Sequence, residues 1–378
     1  MENYSKKPIF LYLLVLTIAA TAGLHIWRVL FDNFSVNVVF LEGEHIGALQ
    51  SVREIPGFLA LLVVYFLLII KEHKLSALSI LIFGIGLGLT GFFPSFYGLM
   101  FTTLIMSFGF HYFETTNQSL TLQYFDRDTS PIVFGKLRSY ASMTNICAGA
   151  IIFFTASFMS PRDIYLITGV LVVFCALWAF MQNPVDKSII PQRKSMVLKK
   201  KYWLFYALTF MAGARRQIFI AFAVFLLVKR FDYSIQQVAL LFFLNNIINT
   251  FLSPYIGKCI VRFGERKVLS LEYFSLIIIF ISYAYVDSKL VVALLYILDH
   301  VFFNFAIAIR TFFQKIADPE DIAPSMAVGF TINHIAAVFL PVIGGLLWMI
   351  DYRIPFIAGA ILSFVSLVLV QMIKIKRH

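Results

Sequence analysis

Twelve long apolar runs occupy most of the sequence and decide what the chain can fold into. They cover residues 9–31, 46–70, 75–93, 96–124, 137–158, 163–182, 202–228, 235–256, 268–286, 290–312, 326–349 and 354–373. A helix needs about 20 mainly apolar residues to cross about 30 Å of hydrocarbon, and each run is long enough. The runs are continuous rather than alternating, which favours helices over a barrel. The sequence therefore predicts an all-α integral membrane protein with twelve transmembrane helices.

The composition excludes the common soluble classes. Hydrophobic residues make up 60% of the 378 positions, Phe alone supplies 42, and charged residues reach only 13%. Soluble domains carry about 45–50% apolar and about 25% charged residues. An ordinary soluble enzyme, a disordered chain and a disulfide-built secreted domain are all inconsistent with these values.

The basic residues predict the orientation in the membrane. If the N-terminus is cytoplasmic, about two thirds of the 31 Lys and Arg residues fall in inside connections and about a sixth in outside ones. This bias predicts a multi-pass protein of the cytoplasmic membrane with both termini inside. The net charge of +11 is spread over separate loops, so we expect contacts with membrane lipids and no nucleic-acid partner.

The longest inside connection, residues 183–201, predicts the domain organisation. It contains two prolines and six basic residues and follows the sixth apolar run. We expect an N-terminal six-helix half at 1–182, a cytoplasmic basic linker at 183–201 and a C-terminal six-helix half at 202–378.

The segment Gly257–Lys267, GKCIVRFGERK, resembles the loop motif Gly-x-Leu-Ala-Asp-Arg-x-Gly-Arg-Arg of the major facilitator superfamily. The matching residues are Gly257, Arg262, Gly264, Arg266 and Lys267. Val261 stands where the family has Asp, so we expect the ion pair of that Asp to be missing. The resemblance implies a gating role for the loop, and a plain basic turn that sets the topology is the alternative.

A second segment, FGKLRSYAS at 134–142, is similar to the Gly-x-x-Arg-x-x-Gly-Ser pattern that begins the fifth helix of facilitator-type proton symporters. Arg138 is the matching arginine, and Ala141 replaces the family glycine. The resemblance implies that Arg138 belongs to the solute site.

Membership of this superfamily implies a known mode of action. Two six-helix halves would enclose a central cavity that opens to each side of the membrane in turn. The partners would be a small-molecule substrate, protons and lipids. We expect a monomer without a cofactor or metal.

The fourth apolar run contains one polar face. His111, Glu114 and Gln118 follow at i, i+3 and i+7. A charge at the bilayer centre costs about 2.5–3.5 kcal/mol, so such groups usually face a cavity or a partner. We predict that Glu114 and His111 bind and release a proton, with an interhelical hydrogen bond as the alternative. Three further side chains within the runs could exchange protons, namely Asp299, His300 and His334.

The first two runs carry charges near one end. His25 and Arg28 share a stripe, either lining the cavity or, for Arg28, pairing with Asp32. Arg53 and Glu54 are adjacent and project about 100° apart, so we expect them on different faces. A gate pair and a surface anchor both remain open for them.

Polar side chains in the later runs complete the predicted cavity. They are Arg215, Arg216, Gln217, Asn245, Asn249, Asn304 and Asn333. At most one of the adjacent arginines can face the cavity, and the other could pair with a carboxylate such as Asp299. The planar guanidinium suits a carboxylate or phosphate group. The asparagines suit either substrate contact or helix packing.

These features predict a secondary active transporter for a small polar solute, with an anion as the first expectation and protons as the coupling ion. No Gly-x-x-x-x-Gly-Lys-Ser/Thr run is present, so an ion or solute gradient should supply the energy. An exporter of amphiphiles and a transporter-like sensor without flux are the alternatives. An enzyme is not expected, since the sequence has no His-Glu-x-x-His or Gly-x-Ser-x-Gly motif.

Overall fold

The structure is a computed structural model that describes residues 4–41, 43–184, 186, 189–193, 195–233 and 235–374. The described chain is helical and contains no strand. The prediction of an all-helical membrane protein is confirmed. Eight of the described helices are long and apolar enough to cross a membrane.

The described residues before the linker form seven α-helices. They are α1 (Pro8–Asn37), α2 (Gly43–Phe58), α3 (Val63–Phe66), α4 (Glu72–Leu89), α5 (Phe96–Tyr124), α6 (Ser130–Thr155) and α7 (Pro161–Met181). A 3-10 segment, Leu59–Leu62, joins α2 to α3, and a second, Thr90–Phe92, ends α4.

The second part continues with α8 (Trp203–Ile218), α9 (Val224–Phe231), α10 (Ile235–Phe263), α11 (Glu265–Tyr285), α12 (Lys289–Phe303), α13 (Ile307–Ile316), α14 (Ile322–Ile350) and α15 (Arg353–Gln371). A π-helical segment, Phe219–Ala223, joins α8 to α9. A 3-10 segment, Asn304–Ala306, joins α12 to α13. Each of the twelve predicted runs lies in one helical stretch, apart from a few end residues.

The chain divides into two compact units. Unit 1 consists of residues 1–126, 140–197 and 319–331, and unit 2 of residues 127–139, 198–318 and 332–378. In unit 1, α4 packs on α5 and α7, α1 packs on α7, and α2 packs on α5. In unit 2, α11 packs on α15 and α12, α8 packs on α15, and α10 packs on α12. The helix pairs of the two units correspond if α1, α2, α4, α5 and α7 are matched in chain order with α8, α10, α11, α12 and α15.

Close helix packing in unit 1 depends on glycine. A Cβ on Gly109 of α5 would overlap backbone atoms of Ser79 and Phe83 in α4. A Cβ on Gly169 of α7 would lie 2.5 Å from the Cα of Gly88 on the other side of α4. Small residues let membrane helices approach until their backbones touch, so α4 is held firmly between two neighbours.

Candidate functional site

The polar centre of unit 1 is His111, which is buried on α5. Its Nδ1 lies 2.9 Å from the carbonyl oxygen of Ser107 and 3.0 Å from the Ser107 hydroxyl. A carbonyl can only accept, so this contact assigns the proton to Nδ1 in the neutral ring and leaves Nε2 as the acceptor. The histidine is therefore oriented by its own helix.

An ion pair from α2 lies beside His111. Arg53 Nη2 is 2.7 Å from Glu54 Oε1, and a Glu54 carboxylate oxygen is within 4.8 Å of a ring nitrogen of His111. The Ser107 hydroxyl donates to the Arg53 carbonyl oxygen. The expectation that Arg53 and Glu54 lie on different faces is wrong for their charged ends, because both side chains are long enough to curve towards each other.

The other predicted residues of unit 1 lie on α5 and α1. Glu114 and Gln118 are half-buried further along α5. His25 is half-buried on α1 and its Nε2 faces Gly149 of α6, while Arg28 is exposed. The Asp32 side chain, the possible partner of Arg28, lies outside the described residues.

Unit 2 contains a hydrogen-bonded row of polar side chains on α6, on the 3-10 segment that follows α12, and on α10. Arg138 Nε donates to Asn304 Oδ1 at 3.2 Å, and Asn304 Nδ2 donates to Asn249 Oδ1 at 2.6 Å. Asn245 lies one turn from Asn249 and is also buried. Neither polar atom of the Asn245 side chain has a hydrogen-bond partner in the described chain. Beside the row, Asn245 is thus a buried amide that can still bind a polar group.

The two adjacent arginines of α8 have different environments. Arg215 is fully buried, with Nη2 3.9 Å from Glu272 Oε1 and Nη1 donating to Ser366. Arg216 is exposed. Asp299, the partner suggested by sequence, interacts with Arg215 only at longer range, and Glu272 of α11 is the nearest carboxylate.

The remaining predicted residues of unit 2 have separate surroundings. Asn333 of α14 donates to the Thr209 carbonyl oxygen of α8 at 3.2 Å, which fits the packing interpretation. The His300 ring packs edge-on against the Phe219 ring, with 4.8 Å between the ring centres. Gln217 is half-buried and His334 is buried.

The predicted gating loop is almost entirely helical. Residue 257 lies inside α10, a Cβ there would overlap the Pro131 carbonyl oxygen, and only Gly264, with φ +80°, separates α10 from α11. Arg262 and Lys267 are exposed, and Arg266 donates to Gln371 of α15 at 3.1 Å. Glu265, four residues after Val261, is buried and pairs with Lys315 of α13 at 2.7 Å.

Sequence reasoning misplaced one carboxylate and overlooked two others that the structure places at polar centres. Glu54 was predicted at a gate or surface rather than beside His111, and Glu272 and Glu265 were not singled out. Glu272 carried a usable signal, because it is an ionisable residue inside an apolar run. Glu265 gave none, since a charge at the end of a run is ordinary.

The described chain is all-helical, carries charged side chains within its apolar helices and has two units with corresponding helix pairs. These features are typical of a multi-pass membrane transporter. The family model of the Major Facilitator Superfamily matches residues 9–338. The chain belongs to this superfamily, whose members are transporters rather than enzymes and bind small-molecule substrates.

Solved structures share the fold at low sequence identity. The human organic anion transporter MFSD10 (TETRAN) is 11% identical with a TM-score of 0.77, covering 96% of this chain and 98% of its own. A variant of the E. coli fucose:proton symporter FucP is 13% identical with a TM-score of 0.75, covering 97% and 98%. The nucleoside transporter NupG is 18% identical with a TM-score of 0.63, covering 98% and 100%. A comparison with curated sequences gives no significant match.

Proposed function

We propose that this protein is a proton-coupled secondary transporter that moves a small polar, anionic solute across the cytoplasmic membrane by alternating access. The observation that carries the proposal is the hydrogen-bonded row Arg138–Asn304–Asn249, together with the unpartnered amide of Asn245 one turn away on α10. Asn304 orients the guanidinium, and a guanidinium beside buried amides is suited to a solute that has a carboxylate or phosphate and further polar groups.

Proton coupling is supported by the ionisable groups within the helices. His111 is buried and oriented by Ser107, and Glu54 lies within 4.8 Å of it. A carboxylate and an imidazole at this separation can pass a proton between them directly or through one water. The fold neighbours include a fucose:proton symporter and an organic anion transporter, in agreement with both parts of the proposal.

The test uses purified protein in liposomes loaded with a pH-sensitive dye. Pools of organic anions, sugars, nucleosides and amphiphilic cations are added outside. We expect internal acidification with the anion pool. Alkalinisation with the amphiphile pool would instead indicate export in exchange for protons, and binding without any flux would indicate a sensor.

Two pairs of variants test which residues bind the solute and which carry the proton. Arg138→Gln should raise the solute concentration for half-maximal uptake at least tenfold, while Arg127→Gln, at an exposed arginine, should leave it unchanged. Glu54→Gln and Glu114→Gln are measured for uphill uptake and for solute counterflow. We expect uphill uptake to fail and counterflow to persist in the variant that removes the proton carrier. Uphill uptake that persists in both variants would reject both carboxylates.

A further inference from the structure

Unit 2 contains a buried charge cluster that the proposed solute row does not use. Arg215 of α8, Glu272 of α11 and Asp299 of α12 are each 0% exposed. Tyr273 and Tyr283 of α11 and Tyr296 of α12, the aromatic side chains around the cluster, are also buried. The cluster therefore lies in a dry interior, where an uncompensated charge is costly.

Arg215 is held from three sides. Its Nη2 is 3.9 Å from Glu272 Oε1, its Nη1 donates to Ser366 of α15, and its guanidinium lies 4.4 Å from the centre of the Tyr273 ring. The single cation of the cluster is thus fixed close to one of the two carboxylates.

Asp299 has no such partner. Arg215 acts on it electrostatically, but neither carboxylate oxygen of Asp299 has a hydrogen-bond partner in the described chain. Tyr283 of α11 and Tyr296 of α12 also interact with it, and His300 is the next residue. The charged side chains of the other packed helices, α9 and α10, are exposed, namely Lys229, Arg230, Lys258 and Arg262.

The charge balance determines what the cluster binds. One guanidinium and two ionised carboxylates would leave a net negative charge in the interior of unit 2. Proteins avoid such a charge by neutralising it. Both carboxylates interact with the same guanidinium, so protonation of one changes the charge that Arg215 offers to the other, and the two titrate as a coupled pair. We propose that Arg215, Glu272 and Asp299 form a buried proton-binding site in which the two carboxylates share a single proton.

The site is connected to the solute row through α12. Asp299 lies on the same helix as His300, whose carbonyl oxygen accepts from Asn304 Nδ2 at 2.8 Å. The 3-10 segment begins at Asn304, and the π-helical segment that follows Arg215 begins at Phe219, whose ring stacks on Tyr296 at 5.3 Å. Such departures from α-helical geometry often mark functional positions. A role of this site in coupling rests on the proposed function, whereas proton binding does not.

Infrared spectroscopy of the purified full-length protein at neutral pH tests the proton count. A protonated carboxylic acid gives its own carbonyl stretching band. Asp299→Asn and Glu272→Gln should each remove the signal of one protonated acid, because the remaining carboxylate then balances Arg215. Arg215→Gln should add the signal of one, because both acids must then be neutral. Asp287→Asn, at an exposed residue paired with Arg230, is the control and should change nothing.

The opposite results are equally definite. A signal unchanged in both Asp299→Asn and Glu272→Gln would overturn the proposal, and either variant suffices if the other does not fold. Thermal stability that rises with sodium but not with choline, without a protonated-acid signal, would overturn it in favour of a sodium site. If no solute pool moves protons while the infrared result holds, the proposed function fails and the proton site stands.

Discussion

At the scale of single residues, burial separates side chains that the sequence makes look alike. Arg215 and Arg216 are neighbours in one apolar run, yet the first is fully buried beside Glu272 and the second is exposed. Removing one partner of a buried ion pair costs about 3–5 kcal/mol. An exposed substitution usually stays within about 0.5 kcal/mol.

We therefore expect Arg215→Ala to lower the free energy of unfolding strongly and Arg216→Ala to change it little. Both are measured by thermal and denaturant unfolding in the same detergent. Losses of equal size would contradict the assignment of Arg215 to the interior. The sequence could predict that the two arginines differ, but not which one is buried, because one residue of helix rotation decides it.

Asp318 provides a pH-dependent prediction outside the membrane-spanning helices. Lys201 Nζ at 2.5 Å and Lys199 Nζ at 3.1 Å hydrogen-bond its carboxylate and lower its pKa to about 2. A lowered pKa in the folded state stabilises the protein above the ordinary value of about 3.9, and the gain disappears as the pH falls towards about 2. The side chain is 46% exposed, so solvent screening limits the gain to under about 1 kcal/mol.

Asp318→Asn should accordingly lower the free energy of unfolding slightly at about pH 6, and the difference should vanish as Asp318 of the parent protein becomes protonated near about pH 2. Salt should reduce the difference at about pH 6, since it screens exposed pairs. A difference that is constant across this range would exclude ionisation of Asp318 as its cause.

At the scale of elements, one glycine fixes the approach of α8 to α14. A Cβ on Gly213 would overlap the Asn333 carbonyl oxygen, whereas Gly345, also in α14, has nothing within 4 Å of its Cβ position. Forcing atoms into a packed contact costs about 1–3 kcal/mol. Glycine inside a helix is about 0.5–1 kcal/mol less favourable than alanine.

Gly213→Ala should therefore destabilise the protein and Gly345→Ala should leave it unchanged or slightly more stable, as measured by the thermal unfolding midpoint. An unfolding midpoint that rises in both variants would show that helix propensity, rather than packing, determines the effect of substituting Gly213. Both glycines lie in apolar runs, so only the neighbouring helix distinguishes them.

Each unit also ties the start of one helix to the end of another. Glu72 begins α4 and accepts from Gln123 in the last turn of α5 at 2.6 Å. Glu265 begins α11 and pairs with Lys315 in the last turn of α13 at 2.7 Å. A carboxylate in a first turn is also favoured by the helix dipole. The first turns of α4 and α11 are thus each joined to the end of a neighbouring helix.

A double-mutant cycle with Glu265→Gln and Lys315→Met should give a coupling of about 0.5–3 kcal/mol, as expected for contacting charged residues. Glu265→Gln combined with Lys289→Met, at an exposed lysine beyond the opposite end of α11, is the control and should be additive. Additivity in the first pair would mean that the contact adds nothing to stability.

At the scale of the whole molecule, the basic connections predict the direction of insertion. Lys and Arg residues in short loops retain those loops in the cytoplasm. A reporter that is active only after export should be inactive when inserted at residue 190 of the linker and active at residue 159, which connects α6 to α7. Activity at both sites, or the reverse pattern, would overturn the proposed orientation and the placement of both termini inside.

The sequence by itself determined the fold class, because apolar runs of membrane-spanning length leave few alternatives to packed helices. It also identified the superfamily through Gly257–Lys267 and named Arg138 through a second family pattern. Asn249 and Asn304 were named because polar side chains within apolar runs usually face a cavity or a partner. Only the tertiary structure decided the partners: Glu54 beside His111, Glu272 rather than Asp299 beside Arg215, and Glu265 beside Lys315. The physical reason is that hydropathy is a property of each segment, whereas pairing depends on helix rotation and on contacts between residues far apart in the chain.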